Sequence, residues 1–108
     1  MEKYLLSTDN GLTATKAVLF DINGRQIASS LDKTAVKNRG VFSEIDMNQQ
    51  WASTAKCIKG VIEKAGIHSS HIAAIGGSGH GAGLYLLDKE NNPLGMAATS
   101  MDSRSSEI

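Results

Sequence analysis

In the stretch LLSTDNGLTATKAVLFDINGRQIAS, Leu5 to Ser29, apolar runs alternate with two Asn-Gly pairs, and a lysine stands between them. Leu5-Leu6-Ser7-Thr8 reads as a strand running into Asp9. Asp9-Asn10-Gly11 is a turn signal, because Gly11 can take positive φ. Thr15 to Asp21, TKAVLFD, alternates around Val18 and Phe20 and reads as a second strand. Asn23-Gly24 then sits between apolar runs, as a type I′ hairpin turn requires. Arg25 to Leu31, RQIASSL, reads as strand three, so the chain opens on an antiparallel three-strand meander.

Outward from that meander, Asp32 to Ser43 is polar and reads as a strand end and a loop. Asp46 has the character of a helix N-cap, with Gln49 at the third position of a capping box. Trp51, Ala55, Ile58, Ile62 and Ala65 follow at spacings of 4, 3, 4 and 3, one face of an amphipathic helix that Gly66 closes. Trp51 reads as a core anchor of that face. HIAAIGGSG (His71–Gly79) reads as a short apolar strand ending in glycines, and GLYLLD (Gly83–Asp88) as another. Asn91-Asn92-Pro93 marks a turn, and LGMAA (Leu94–Ala98) reads as a last strand. The order βββ-α-ββ(β) places the chain in the α/β class with a mixed sheet. The closing Ser105-Ser106-Glu107-Ile108 has the look of a first helical turn, and a chain that stops there is expected to be part of a larger domain.

Composition narrows the functions. The 108 residues bound the chain to one domain at most, and 41% hydrophobic with 20% charged residues is ordinary for a globular protein. Eleven basic and eleven acidic residues cancel, which argues against nucleic-acid or membrane-surface partners. A lone Cys57 rules out an internal disulfide and a cysteine-rich zinc site. The start MEKYLLSTDNG has an apolar run too short for a signal peptide, so a cytoplasmic location is expected.

Three clusters carry chemistry. At Asp9-Asn10-Gly11, backbone N–H groups of a hairpin tip can form an anion nest, and Gly11 lets a phosphate approach closely. Thr13 and Thr15 add hydroxyls, and Lys16 a point positive charge. A carboxylate at Asp9 would repel phosphate unless Mg²⁺, held through water, stands between them. The same three residues also make a good hairpin turn with no ligand. The second cluster is GGSGHGAG, Gly76 to Gly83, where five glycines in eight residues allow close backbone approach. It lacks the Gly-Lys-Ser/Thr of a P-loop, and His80 within it can act as a donor to a sugar hydroxyl or as a base. A tightly packed turn is the plain alternative. Third is Asp102-Ser103-Arg104, whose acidic and basic ends suit polyol hydroxyls that need both an acceptor and a donor; otherwise it is an exposed ion pair of little energetic value. His68 and His71 have neither the spacing nor the carboxylate company of a metal site.

Taken in order, DNGLTATKAVLFDINGRQIA, GVFSEIDMNQQW, IAAIGGSGHGAGLYLLDKENNPLGMA and DSR resemble the N-terminal part of the FGGY-family carbohydrate kinases over about Leu5 to Ser105. The resemblance implies a ribonuclease-H-like fold of the actin and hexokinase type. It makes residues 1–108 the front of the first, sugar-binding domain, with the rest of that domain and the ATP-binding domain absent. It implies transfer of the γ-phosphoryl of ATP to a hydroxyl of a small ketose or polyol. Asp9, Asn10, Gly11, Thr13 and Lys16 match the Mg-ATP and phosphate turn, with Asp9 toward Mg²⁺. Gly79, His80, Gly81 and Ala82 match the loop that touches the sugar, and Asp102 and Arg104 the pair at the far side of its pocket. The family's general base, an Asp, is expected beyond Ile108, so the chain alone is expected to be catalytically inactive.

There are departures. The sugar loop often carries Gln and larger residues where His80-Gly81-Ala82 stand, and Ser100 occupies a position commonly Trp. The GVFSEIDMNQQW stretch lacks the usual first Trp and the Pro after Asp. The absence of charge in the sugar loop disfavours glycerol. The GLYLLDKENNPLGMA run is most similar to the L-xylulose kinase branch, with erythritol-type kinases the neighbouring choice. Two other readings stand beside it: an actin-like ATPase switch, which has no use for the glycine loop or for DSR, and a binding module without catalysis. Self-association through sheet edges is a further expectation.

Overall fold

The structure is a computed structural model and describes residues 2–106. Strands β1 (Tyr4–Asn10), β2 (Ala14–Asp21) and β3 (Gln26–Lys33) form the expected meander. A short hairpin follows, β4 (Val36–Arg39) and β5 (Phe42–Ile45), then helix α1 (Met47–Ala65), one 3₁₀ turn (Ser69–His71), strand β6 (Ile72–Gly79) and a two-residue strand β7 (Ala97–Ala98). The main sheet has the order β3-β2-β1-β6, antiparallel except for β1 and β6, which run parallel. A parallel pair needs a crossover, and α1 lies within it. A smaller sheet, β4-β5-β7, is antiparallel.

Period-2 alternation explains the layering. Leu6 of β1, with Ala17 and Leu19 of β2, points to one face, and Cys57 and Val61 of α1 close the core over it. Tyr4, Ala28, Ile58, Ala65, Ile67 and Ile72 pack around that cluster. The helix comes close to β3 because Gly60 has no side chain; a Cβ there would lie 2.8 Å from Ser30 Oγ. Asp46 caps α1 by accepting from the N–H groups of Asn48 and Gln49, and Gly66, at φ 65°, ends it. Among the described residues no helix is long and apolar enough to cross a membrane.

Several local expectations are corrected. Asp9 and Asn10 belong to β1, not to a turn. Each is paired on both sides, Asn10 with Thr15 and Gly79, so the turn begins at Gly11. The second hairpin is not type I′, since of its turn residues only Gly24 has positive φ, at 85°. The Asp21 carboxylate accepts from Asn23 N and Arg25 N, and Gly24 N donates to Asp21 O, which makes a three-residue loop with a left-handed glycine. Asp32 to Ser43 is mostly strand: β3 runs on to Lys33, and β4 and β5 turn at Gly40-Val41, with Gly40 at φ 60°.

The buried face of α1 is Thr54, Cys57 and Val61, rotated from the one the apolar spacing marks. Thr54 faces inward because its hydroxyl bonds Asn10 Oδ1, and Trp51 is left 68% exposed, so it is no core anchor. Gly83–Asp88 is no strand, and Leu94–Ala98 keeps only Ala97–Ala98. The two segments meet through isolated bridges, Leu84 with Ala98 and Leu87 with Pro93, because Pro93 has no N–H and Asn91 sits at φ 66°. Ser105 and Ser106 form a turn, while Glu107 and Ile108, the rest of the expected helix start, lie outside the described residues.

The rotated face has a measurable consequence. Leu19→Ala is expected to lower the unfolding free energy by about 2–5 kcal/mol, and Trp51→Ala by no more than about 0.5 kcal/mol. Urea titrations followed by circular dichroism check both; a larger loss for Trp51→Ala than for Leu19→Ala would refute the packing.

Candidate functional site

The parallel pairing of β1 and β6 sets the site. Both strands end on the same side, so the Asp9 hairpin and the glycine loop leave the sheet next to each other. Ligands of α/β sheets lie beyond the carboxyl ends of such strands. Asp9 pairs with Lys16 across the hairpin and with Ser78 on β6, so the three side chains share one face. Asp9, Thr13 and Lys16 are exposed. Among the described residues Asp9 has no ion-pair partner and accepts one hydrogen bond, from Ser78 Oγ at 3.3 Å. Gly11 does not take the positive φ its turn signal allows; what favours glycine there is space, since a Cβ would lie 3.0 Å from Ala14 O, the acceptor of Gly11 N. Thr15 differs from Thr13: it is buried toward α1, and Cys57 Sγ donates to its carbonyl.

Asn10 joins the hairpin to what surrounds it. Its side-chain oxygen accepts from Thr54 Oγ1 at 2.8 Å, and its carbonyl accepts from His80 N at 3.0 Å. Beyond Gly79 the loop is tightly folded. Ala82 is left-handed at φ 59°, and a Cβ at Gly83 would come within 2.9 Å of the Tyr85 ring and 3.0 Å of His80 Cε1. His80 Nε2 lies 2.6 Å from the Tyr85 hydroxyl, which in turn donates to Gln50 Oε1 at 3.5 Å. Burial pushes the Tyr85 phenol above its ordinary pKa, with the Gln50 contact acting the other way.

Asp102 and Arg104 are bound to each other and to β5. Asp102, 5% exposed at its side chain, accepts from Ser43 N at 2.7 Å and, through its two oxygens, from Arg104 Nε at 2.8 Å and Nη2 at 2.6 Å. Arg104 Nη2 also donates to Glu44 Oε2 at 2.8 Å, and the guanidinium stacks 4.5 Å over the Phe42 ring. The Arg104 hydrogen bonds, followed by the Ser43 N–H, hold the Asp102 carboxyl far below the usual carboxylate range, and Arg104 is raised in return. The pair is thus exposed on one side only: the Asp102 carboxylate is covered, while the Arg104 side chain stays 40% exposed. Beneath it, Ser43 Oγ and Thr99 Oγ1 are 2.6 Å apart and buried.

An open groove of about 310 Å³ brings Ala82 together with Asp102 and Arg104, its other walls including Leu84, Met96 and Thr99. Gly79, His80 and Gly81, the other expected sugar-loop residues, do not line it. The Asp9 hairpin is a separate surface, tied to the groove through Asn10. Glu44, Tyr85 and Gln50 lie in the GVFSEIDMNQQW and GLYLLD stretches, but nothing in the sequence singles them out. Their partners lie 60, 5 and 35 residues away, and a lone Glu or Gln carries no local signature of such a bond. Among the described residues no cluster of three His, Cys, Asp or Glu offers a direct metal cage. His68 Nδ1 accepts from Ser70 N and caps the 3₁₀ turn.

The model of the FGGY family of carbohydrate kinases, N-terminal domain, matches residues 4–108. A probable L-xylulose kinase of Pasteurella multocida is 37% identical over 102 residues, covering 94% of this chain and 21% of that protein. The L-xylulose/3-keto-L-gulonate kinase of Escherichia coli K12 is 36% identical over 109 residues, covering 100% of this chain and 22% of its own length. The crystal structure of gluconate kinase from Lactobacillus acidophilus superposes with a TM-score of 0.89 at 28% identity, over 100% of this chain and 22% of that one. The chain thus spans about a fifth of the length of these relatives.

The Asp102 contacts give a pH dependence. A carboxyl whose folded pKa lies below its unfolded one stabilises the fold fully above the unfolded value, and loses that contribution as pH falls through the folded value. Asp102→Asn is therefore expected to lower the melting temperature at neutral pH, with the gap to wild type narrowing below about pH 4. Melts across that range check it; a gap that stays constant into acid would remove the carboxylate from the account.

Proposed function

Since the chain belongs to the FGGY family of carbohydrate kinases, we propose that residues 1–108 are the N-terminal part of the sugar-binding domain of an ATP-dependent kinase for a small ketose or polyol, with L-xylulose the best candidate. The observation that carries this reading is the groove in which the loop residue Ala82 meets Asp102 and Arg104. The relatives named as L-xylulose kinases support the choice of sugar. Asp102 and Arg104 act chiefly by holding the groove wall on β5, since most of their polar atoms are already engaged. The loop from Gly79 to Ala82 meets the sugar, and His80 orients it.

Mg-ATP fits the hairpin. An exposed Asp9, without an ion-pair partner among the described residues, suits Mg²⁺ held through water, because magnesium keeps most of its waters and takes one or two carboxylates. Thr13 and Lys16 are both exposed on this hairpin and offer a hydroxyl and a cation to phosphate oxygens, with Asn10 and Gly11 shaping the turn. Bound Mg-ATP supplies the phosphoryl group and offsets its charge. The proton acceptor for the sugar hydroxyl is assigned outside these residues. Asp102, the carboxylate of the groove, is held far too acidic to serve. A cytoplasmic setting belongs to the same proposal.

The test is binding separated from turnover. Titration of the isotope-labelled 108-residue chain with L-xylulose, D-xylulose, erythritol and glycerol should shift the amide signals of Gly81 and Ala82 most for L-xylulose and least for glycerol. ADP release from Mg-ATP by the same chain should equal the buffer control. If no sugar moves the loop, the substrate assignment fails; if ADP release rises above the control, the assignment of the base elsewhere fails.

A further inference from the structure

Tyr85 and Gln50 touch the glycine loop through His80. They end a chain of hydrogen bonds that starts at His80. Nε2 of His80 is 2.6 Å from Tyr85 Oη, and Tyr85 Oη is 3.5 Å from Gln50 Oε1. The other ring nitrogen, Nδ1, is buried and has no partner among the described residues. The phenol has one proton to give. If that proton goes to Gln50, the Tyr85 oxygen accepts from His80 Nε2–H, and Nδ1 carries only a lone pair. If it goes to His80 instead, Nδ1 must bear a buried N–H with no acceptor. Orphaned buried N–H groups are rarer in folded proteins than under-satisfied acceptors, so the first arrangement prevails.

We propose that Gln50 and Tyr85 are positioning residues that fix His80 as the Nε2–H tautomer and reserve Nδ1 as a bare hydrogen-bond acceptor for a hydroxyl of the substrate. The ligand group that suits Nδ1 is therefore a donor, such as a polyol or ketose hydroxyl. A carboxylate or phosphate oxygen, which only accepts, does not. The loop around it is built to rearrange. Ala82 is held at φ 59° between Gly81 and Gly83, a conformation that an alanine rarely adopts. Gly83 leaves room for the rings of His80 and Tyr85 that any Cβ would take. For Nδ1 to meet a hydroxyl in the groove that Ala82 lines, this short run has to move, and that movement is part of the proposal. Gln50 lies on α1, one turn before Thr54, which holds Asn10 of the hairpin, so the helix that carries the tautomer control also carries the phosphate turn.

This inference rests on the sugar-kinase reading only for its ligand, and the experiment separates the two. In the ¹⁵N-labelled 108-residue chain, long-range proton–nitrogen correlations report which imidazole nitrogen is protonated, with His80 assigned by comparison with His80→Asn. The expected result is Nε2–H with a bare Nδ1. Tyr85→Phe and Gln50→Met should mix the tautomers, and Gln50→Glu, which keeps an acceptor oxygen, should preserve the wild-type one. Binding of L-xylulose should shift the Nδ1 signal and weaken roughly fivefold in Tyr85→Phe, the loss of about one hydrogen bond. Protonation at Nδ1 in the wild type, or a tautomer indifferent to both variants, would overturn the positioning role. L-Xylulose that moves the Gly81 and Ala82 amides but leaves Nδ1 unchanged would overturn the acceptor role while sugar binding stands. A fixed Nε2–H tautomer with no sugar bound at all would overturn the acceptor role through the sugar-kinase reading itself.

Discussion

Two hydrogen bonds to Asn10 hold the working end of this fold together. The side chain takes the hydroxyl of Thr54 from α1, and the carbonyl takes the backbone N–H of His80 from the glycine loop. Asn10 is also the last residue of β1, paired on one side with Thr15 and on the other with Gly79. Helix, hairpin and loop therefore share one residue. Its surroundings are only partly buried, yet its contacts with Thr54, Gly79 and His80 cross between elements far apart in the chain. Such contacts fix relative placement more than they add stability, because each bond exchanges for one to water at a small net gain.

The carboxylates of the candidate site show how environment divides one chemistry into two jobs. Asp102 is surrounded by donors, from Ser43 N to the guanidinium of Arg104, and is committed to holding the chain after β7 against β5. Among the described residues the Asp9 carboxylate meets only the hydroxyl of Ser78, and it stays open to solvent. A saturated carboxylate makes a rigid wall and a poor base; an open one can take up a cation's water. The same contrast runs through the hydroxyls, with Thr99 buried against Ser43 and Thr13 exposed on the hairpin.

Much of this was legible in the residues. The meander, the capped helix with its Gly66 stop, and the glycine-ended strand all follow from local rules, since each signal lies within a few residues of its effect. Asp9, Lys16, Ala82, Asp102 and Arg104 were marked by local pattern and by family likeness, and the groove gathers three of them. What escaped was set by partners distant in sequence. The helix face turned to Thr54 because of Asn10, 44 residues earlier, which no apolar periodicity records. The Gly83–Asp88 run has strand composition, but its only continuous neighbour is a segment broken by Pro93 and a left-handed Asn91. Glu44, Tyr85 and Gln50 enter only once the fold has brought them to their partners.

The chain's one cysteine has a place in this fold that makes it a clock. Cys57 is 1% exposed, between α1 and the meander, with its thiol donating to Thr15 O. Burial pushes that thiol up from its ordinary pKa, with the nearby Asp32 charge adding to the effect. It is inert while the helix is seated. A reagent in solution can reach the sulfur only in those moments when α1 lifts from the sheet. The rate of its modification then rises with how readily the helix lifts, read on the very helix that anchors the hairpin through Thr54 and faces the glycine loop through Gln50. A ligand that clamps both would slow the clock without touching the sulfur.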